Sequence, residues 1–147
     1  MSRNENLEYV DFDVVKEDWS LYRLEDDTCL KSKFILGGVL KEHGTEGEYA
    51  INSHTFTVAI VPKNLWGPPE TQKFAKQELR DSVEKEDMKF TSLTPDMWNV
   101  YRLKDGYTIS VKLELTMVSR TTKHNEKGER IYIFNIQPII KGKKTKT

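Results

Sequence analysis

The segment WSLYRLEDDTCLKSKFILGGV, Trp19–Val39, occurs a second time in this chain as WNVYRLKDGYTISVKLELTMV, Trp98–Val118. Eight of the 21 aligned positions hold the same residue, in the same order and without a gap. Two unrelated segments of ordinary composition share roughly one or two such positions. We therefore interpret the pair as an internal duplication, which predicts two halves with similar folds.

A turn lies inside each copy, at Asp26-Asp27 in the first and at Asp105-Gly106 in the second. Asp-Gly between alternating strands is the strongest short signal for a β-hairpin. Asp27 can stand in the glycine position because aspartate enters the left-handed backbone region more readily than most residues. Each copy is therefore expected to form an antiparallel hairpin.

The register of these hairpins has two solutions. A two-residue turn places the Trp19 face of the first strand together with Leu30 and Phe34. A three-residue loop with a bulge at the Asp27 or Gly106 position places Tyr22 and Leu24, instead of Trp19, on the same face as Leu30 and Phe34. A slip of one residue exchanges every side chain between the two faces of a strand, so both registers stay open at this stage.

Further strands are predicted on both sides of each hairpin. Tyr9–Val15 and Met88–Leu93 precede the copies, and the last strands run from Tyr49 to about Val61 and from Tyr132 to about Ile140. Eight antiparallel strands in two units of four make this a mainly β chain. The fold class that we expect is an internally duplicated barrel or sandwich, and closure is attractive because it removes exposed edges.

Glycine and proline mark irregular positions in these strands. Gly37-Gly38 interrupts the return strand of the first copy, which predicts a bulge or a close backbone approach. Pro138 cannot donate to a strand ladder, so the last strand should lie at an edge or a bulge.

One helical segment joins the halves. Ala75, Leu79 and Val83 recur at helical spacing between Glu70 and about Lys85, which predicts a surface helix. We expect one domain over residues 1–147, made of repeat unit 9–61, a helical linker 62–87, repeat unit 88–140 and a flexible basic tail 141–147.

The repeated W-x-x-Y-x-L-x-D-G-x-x-L/I-x-x-K string resembles a family of small prokaryotic, largely archaeal, hypothetical proteins that carry the same paired segment. The resemblance runs from about Tyr9 to Ile140, and Asp27 departs from the usual glycine of that family. It implies the boundaries and the duplication of this chain, and it implies no activity, cofactor or catalytic residue.

Bulk composition narrows the class of protein. The 23 basic and 23 acidic residues cancel to a net charge of zero, which argues against attachment to nucleic acid through the overall field. Cys29 is the only cysteine, so a reducing compartment is expected. No apolar run reaches the roughly 18 residues of a membrane span, and Met1–Leu7 lacks the apolar core of a signal peptide. We expect a cytoplasmic protein without a membrane partner.

Two loops with the pattern H-x-x-x-G-E offer the first candidate site. They contain His43 with Glu48 and His124 with Glu129. Approximate twofold symmetry could bring these four residues together, and imidazole with carboxylate suits a transition metal. The spacing matches no established metal motif, however, and Gly-Glu commonly starts a strand after a turn. We favour ordinary loop residues and expect no bound metal.

The second candidate site lies on the repeated first strand. Arg23 and Arg102 share a strand face with Trp19 and Trp98, two residues away. An arginine beside an indole could hold an anionic ligand or a stacked nucleobase. We favour the alternative in which the arginine stem covers the ring and its head pairs with an acid. Trp98 and Tyr101 are expected to be structural.

These patterns favour a non-enzymatic scaffold or protein-interaction module that needs no cofactor and associates with itself. The reason is that one small core cannot cover both faces of a strand with Trp on one side and Tyr on the other, so the linker helix or a second subunit should cover one of them. The first alternative is binding of a small ligand or single-stranded nucleic acid through the Arg/Trp face. The second is a metal-dependent enzyme built on the paired histidine loops.

Overall fold

The computed structural model of the chain describes residues 6–44 and 47–144, and most of them lie in antiparallel strands. A 3-10 turn at Lys63–Leu65 and one short helix, α1 at Lys76–Asp81, lie between the two halves. The strands in chain order are Leu7–Tyr9 (β1), Phe12–Lys16 (β2), Trp19–Leu24 (β3), Cys29–Glu42 (β4), Ala50–Ile60 (β5), Val83–Lys85 (β6), Phe90–Ser92 (β7), Asn99–Leu103 (β8), Tyr107–His124 (β9) and Arg130–Lys144 (β10).

The strands form two five-stranded sheets with matching order. In sheet A the long strand β4 pairs with β5 on one side and with β3 and β1 on the other, and β7 pairs with β3. In sheet B the long strand β9 pairs likewise with β10, β8 and β6, and β2 pairs with β8. Neither sheet closes on itself within the described residues, so the closed barrel is not the architecture found.

Each sheet takes one strand from the other half of the chain. Strand β2, from the first half, pairs with β8, with Phe12 opposite Leu103. Strand β7, which precedes the second copy, pairs with β3, with Phe90 opposite Leu24. The expectation of eight strands in two separate units of four was therefore wrong: the described residues contain ten strands, and the two sheets exchange their outermost short strands.

The hairpins adopt the three-residue register. Tyr22 lies opposite Leu30, and the backbone N–H of Leu24 donates to Thr28 O across the loop at 2.8 Å. Asp27 has φ 70° and Gly106 has φ 94°, as expected for the left-handed position that precedes the bulge. This register turns Tyr22 and Leu24 inward and leaves Trp19 on the outer face.

The core lies between the inner faces of the two sheets, in two clusters that each draw on both. One cluster packs Phe34 and Val39 of β4 against Tyr101 and Val111 of sheet B. The other packs Leu24 and Leu30 of sheet A against Leu115 and Val118 of β9. Each hairpin tip of one sheet thus packs on the far half of the long strand in the other sheet.

The two predicted irregularities are confirmed. The pairing of β4 with β5 shifts register between Leu36 and Gly38, and a Cβ at Gly37 would lie 3.4 Å from Asn52 O. Pro138 lies in β10, which is an edge strand of sheet B among the described residues.

The helix is shorter than its apolar spacing predicted. The Ala75 N–H donates to Glu78 Oε1 at 3.1 Å, which fixes the start of α1 at Lys76. Beyond Ser82 the chain becomes strand β6, where Val83 pairs with Thr121 of β9. Val83 is β-branched and suits a strand, so pairing with β9 overrides the helical spacing.

The basic C-terminal segment was predicted to be a flexible tail over 141–147. Residues 141–144 continue β10 instead, with Lys141 opposite Ser110 and Lys144 opposite Tyr107. The ladder to the long strand β9 supplies backbone partners that the composition of the tail did not reveal. Residues 145–147 lie outside the described part of the chain.

Candidate functional site

Trp19 lies on the outer face of sheet A rather than in the core. It is opposite Lys33 on β4, and the Lys31 Nζ lies 4.5 Å from the centre of its ring. The Lys33 Nζ lies 5.7 Å from the same ring. An ammonium over an indole face is stabilised by about 0.5–1 kcal/mol at an exposed site.

Trp98 has the same environment on sheet B. The Lys141 Nζ lies 4.1 Å and the Lys112 Nζ 5.9 Å from its ring centre. Sequence reasoning placed an arginine stem over each ring, but lysines from the neighbouring strands lie there. Arg23 and Arg102 are exposed. The missing information was the strand register, which decides which cation is opposite each tryptophan.

Arg102, unlike Arg23, has a carboxylate opposite it on the neighbouring strand, that of Asp13. Asp13 pairs across the strands with Arg102 and accepts a 2.8 Å hydrogen bond from Lys104 Nζ. The Lys104 hydrogen bond and charge, with a smaller contribution from Arg102, lower the pKa of Asp13 below its usual value. Arg102 therefore faces a carboxylate.

The outer face of sheet A is cationic and aromatic. Its rows follow from the register: Trp19, Lys33 and Phe56 lie side by side, as do Leu21, Lys31 and Val58. We use the name outer face of sheet A for the outward-facing residues of three segments, 19–23 on β3, 29–35 on β4 and 54–60 on β5. They are Trp19, Leu21, Arg23, Cys29, Lys31, Lys33, Ile35, His54, Phe56, Val58 and Ile60. None of them is an acid.

Strand β5 forms an open edge beside this face. Across the described residues it pairs only with β4. Its sequence, AINSHTFTVAI, contains no lysine, arginine, aspartate, glutamate, proline or glycine. Phe56, Val58 and Ile60 are 48%, 48% and 53% exposed. Natural proteins often protect such an edge with charged residues or proline, and β5 has neither.

Strand β10, at the corresponding edge of sheet B, is protected. It carries Pro138 and three lysines. Proline and lysine each discourage the addition of another strand. The two edges therefore differ in chemistry although they occupy matching places in their sheets.

The paired histidine loops lie at opposite ends of β9, so the four candidate residues do not come together. Gly47, in the first loop, is next to Tyr107 at the start of β9, whereas His124 ends that strand. His43 is exposed, with its Nδ1 3.5 Å from Glu8 Oε2. Across the described ranges 6–44 and 47–144, no three His, Cys, Asp or Glu side chains form a group that could hold a metal ion.

His124 is packed into the linker between the halves. Its backbone N–H donates to Glu70 Oε2 at 2.6 Å, and its ring fills the space where a side chain at Gly67 would lie. The ring lines an open cleft of about 460 Å³ between the linker and the loop that joins β9 to β10. Glu129 and Glu48 do not line that cleft. The backbone N–H of Glu129 donates to Asn125 Oδ1 within its own loop, and Glu48 is exposed in the first histidine loop, at the other end of β9.

A polar cluster missed by sequence reasoning joins the first hairpin turn to sheet B. Asp26 Oδ2 accepts hydrogen bonds from the Tyr132 hydroxyl at 2.6 Å and from Arg120 Nη1 at 3.1 Å. Its Oδ1 accepts from the Thr28 N–H at 2.9 Å. Burial raises the pKa of Asp26, but the hydrogen bonds from Tyr132, Thr28 and Arg120 outweigh it and hold the pKa below its usual value.

The second hairpin turn has a matching cluster with sheet A. Asp105 Oδ2 accepts from the Tyr49 hydroxyl at 2.7 Å and from Lys41 Nζ at 3.5 Å. Burial, and then the Asp105 hydrogen bond and charge, raise the pKa of Tyr49. We call the two clusters the turn clamps. Their sequence signal was the identical Asp column of the repeat together with the Tyr that opens each last strand.

No protein-family model, curated protein or solved structure matches this chain. Among the described residues, no helix is long and apolar enough to cross a membrane.

Proposed function

We propose that this protein is a non-enzymatic, internally duplicated β scaffold whose function depends on self-association through the edge strand β5. Two copies join edge to edge around a twofold axis, so that β5 of one copy pairs antiparallel with β5 of the other. The observation that carries the proposal is the unprotected β5 edge, with Phe56, Val58 and Ile60 exposed beside it.

The chemistry of β5 suits pairing with itself. A twofold interface places the same strand on both sides, so a charged residue near the axis would face its own copy. Strand β5 contains no fully charged residue, and its 11 residues extend about 36 Å. The free N–H and C=O groups along that edge supply the hydrogen bonds, and the exposed apolar side chains add buried area.

The contrast with β10 limits the assembly to two copies. A protein with two open edges could add copies indefinitely, whereas an isologous contact through one edge closes after the first addition. Pro138 and the lysines of β10 make that second edge a poor template. A dimer with a continuous ten-stranded sheet is therefore the expected product.

The duplication belongs to the same proposal. Matching strand order in the two sheets and turn clamps at aligned residues, Asp26 with Tyr132 and Asp105 with Tyr49, support an origin of both halves from one ancestral unit. The resemblance to small prokaryotic proteins with the same paired segment agrees with that origin. The single half-buried cysteine, Cys29, agrees with a reducing cytoplasm.

Light scattering during gel filtration tests the association. We expect a mass twice the 17.2 kDa of one chain, and dissociation on dilution. Successive residues of an edge strand point their N–H groups alternately towards the neighbouring strand and away from it. One of the two variants Thr57→Pro and Val58→Pro therefore removes only an N–H that points away from β4. That variant should become monomeric and should keep the melting temperature that the wild-type protein has at concentrations where it is dissociated.

The matched control is the pair Ile139→Pro and Ile140→Pro on β10. We expect at least one of them to fold normally and to remain dimeric. A wild-type protein that stays at 17.2 kDa at every concentration would refute the proposal, as would loss of the dimer in a well-folded β10 variant but in no β5 variant.

A further inference from the structure

We infer that the outer face of sheet A binds single-stranded nucleic acid, with bases stacked on Trp19 and Phe56 and phosphates held by Lys31, Lys33 and Arg23. This inference does not depend on self-association, because the face is complete within one chain. It rests on the combination of the exposed Phe56 ring, the half-buried Trp19 ring and three cations on a face whose residues include no carboxylate.

The aromatic rings are placed for stacking on neighbouring nucleotides. Trp19 on β3 and Phe56 on β5 lie on either side of Lys33 in one cross-strand row. Strands in a sheet are about 4.8 Å apart, so the two side chains originate about 10 Å from each other. Sheets that bind RNA present aromatic rings on nearby strands in this way, and two or three splayed bases stack on them.

The lysines of the face are available to phosphates. No carboxylate of the described residues lies within 4.0 Å of the Nζ of Lys31 or Lys33, although lysines elsewhere pair with Glu8, Glu25 and Asp13. Both ammonium groups lie over the Trp19 ring, with Nζ 4.5 Å from the ring centre for Lys31 and 5.7 Å for Lys33. A base that stacks on the indole would displace these flexible ammonium groups towards its own phosphates, so stacking and charge pairing are compatible.

The chemistry favours a single strand over a duplex or a lipid surface. A duplex keeps its bases stacked inside, so exposed aromatic rings gain nothing from it. The net charge of zero gives no long-range attraction to a membrane or to duplex phosphates, and only the local group of three cations acts. Three phosphate contacts on a single strand predict a slope of about −2 for log K against log salt.

Sheet B supplies the internal control. It repeats the tryptophan and the lysine, as Trp98 and Lys112, but Ile139 lies opposite Lys112 where sheet A has Phe56. Carboxylates also lie on that face, since Asp13 is opposite Arg102, and Glu114 is two residues from Lys112 on the same side of β9. An equivalent change on sheet B should therefore leave nucleic-acid binding unaltered.

Fluorescence anisotropy with labelled oligothymidine and oligouridine of about 12 nucleotides tests the inference at low salt. Trp19→Ala and Phe56→Leu are each expected to weaken binding by about 5- to 150-fold, the worth of one stacked base, and Trp98→Ala should not. Lys31→Gln and Lys33→Gln should each make the salt slope shallower by about 0.7, while Lys112→Gln leaves it unchanged.

Phe56→Leu keeps an apolar side chain at an exposed position, so the test does not depend on the folding of Trp19→Ala. The well-folded monomeric β5 proline variant should still bind, which separates this inference from self-association. Absence of binding by the wild-type protein would refute it, and so would equal losses in the sheet A and sheet B variants. Binding to phosphatidylserine vesicles without binding to either oligonucleotide would assign the face to lipid and overturn the inference.

Discussion

Removal of the Asp26 carboxylate tests whether the turn clamps hold the two sheets together. Asp26→Ala removes the carboxylate that accepts from the Tyr132 hydroxyl and from Arg120 Nη1, and it leaves Thr28 Oγ1, at 2.7 Å, as the remaining partner of that hydroxyl. The Asp26 side chain is 8% exposed and that of Arg120 is 18% exposed, so water cannot freely replace the lost partner. Removing one member of a buried ion pair costs about 3–5 kcal/mol of unfolding free energy.

The structure places Asp26→Ala at the lower end of that range. Arg120 keeps a second acceptor, Glu84 Oε1, at 2.8 Å from its Nε, so its charge stays paired. We expect a loss of about 3 kcal/mol, which lowers the melting temperature by about 6–12 °C in a chain of this length. The effect should depend on pH. The pKa of Asp26 is lowered by folding, so its contribution is present above the unfolded value of about 3.9 and is lost as the pH falls further.

Asp105→Ala is the matched variant in the other clamp. Asp105 is 17% exposed, and its lysine partner lies at 3.5 Å, so we expect a smaller loss of about 1–2 kcal/mol. Urea denaturation of the two variants and the wild-type protein, at pH 7 and near pH 3, measures both differences. A loss below 1 kcal/mol for Asp26→Ala, or a larger loss for Asp105→Ala, would refute the account of the clamps.

Two more outcomes are expected from the same structure. Tyr101 is fully buried, whereas Trp98 lies on an outer face under Lys141. Denaturation should therefore show a loss of unfolding free energy of about 3–5 kcal/mol for Tyr101→Ala and about 1 kcal/mol for Trp98→Ala. Equal losses would contradict this placement. Burial raises the pKa of Tyr22, Tyr101 and Tyr132 above the ordinary 10.0. Their contribution to the free energy of unfolding is therefore intact below pH 10 and falls above it, by at most about 4 kcal/mol per pH unit for the three together. A melting temperature that stays constant from pH 9 to about 11 would contradict this expectation.

The local features of the fold could be predicted from the sequence because they depend on short-range chemistry. The Asp27 and Gly106 positions require a left-handed backbone, and only a few residue types adopt one readily. The Gly37-Gly38 bulge and the edge position of Pro138 follow from the missing side chains and the missing N–H. Each of these predictions needed knowledge of one or two residues only.

Partners of the short strands could not be predicted in the same way. The alternation in Tyr9–Val15 shows that one face is apolar, but it fits either sheet equally well. The exchange of β2 and β7 is decided by packing between aromatic rings. Phe12 packs edge to face on Tyr101 with ring centroids 6.0 Å apart, and Phe90 packs in the same way on Tyr22 with centroids 6.2 Å apart. Such long-range contacts leave no periodic signal in the sequence.

The candidate surfaces depend on the same long-range information. Trp19 and Lys33 are 14 residues apart in the sequence, and they become neighbours only in the three-residue hairpin register. Phe56 joins them because β5 pairs with β4 along its length, which also makes β5 an edge. Exchange of β2 and β7 completes the sheets on the opposite side, so β5 is left without a neighbour among the described residues. The unprotected edge and the cationic, aromatic face beside it are thus two consequences of one pairing scheme, and they would be lost together if β5 were displaced from β4.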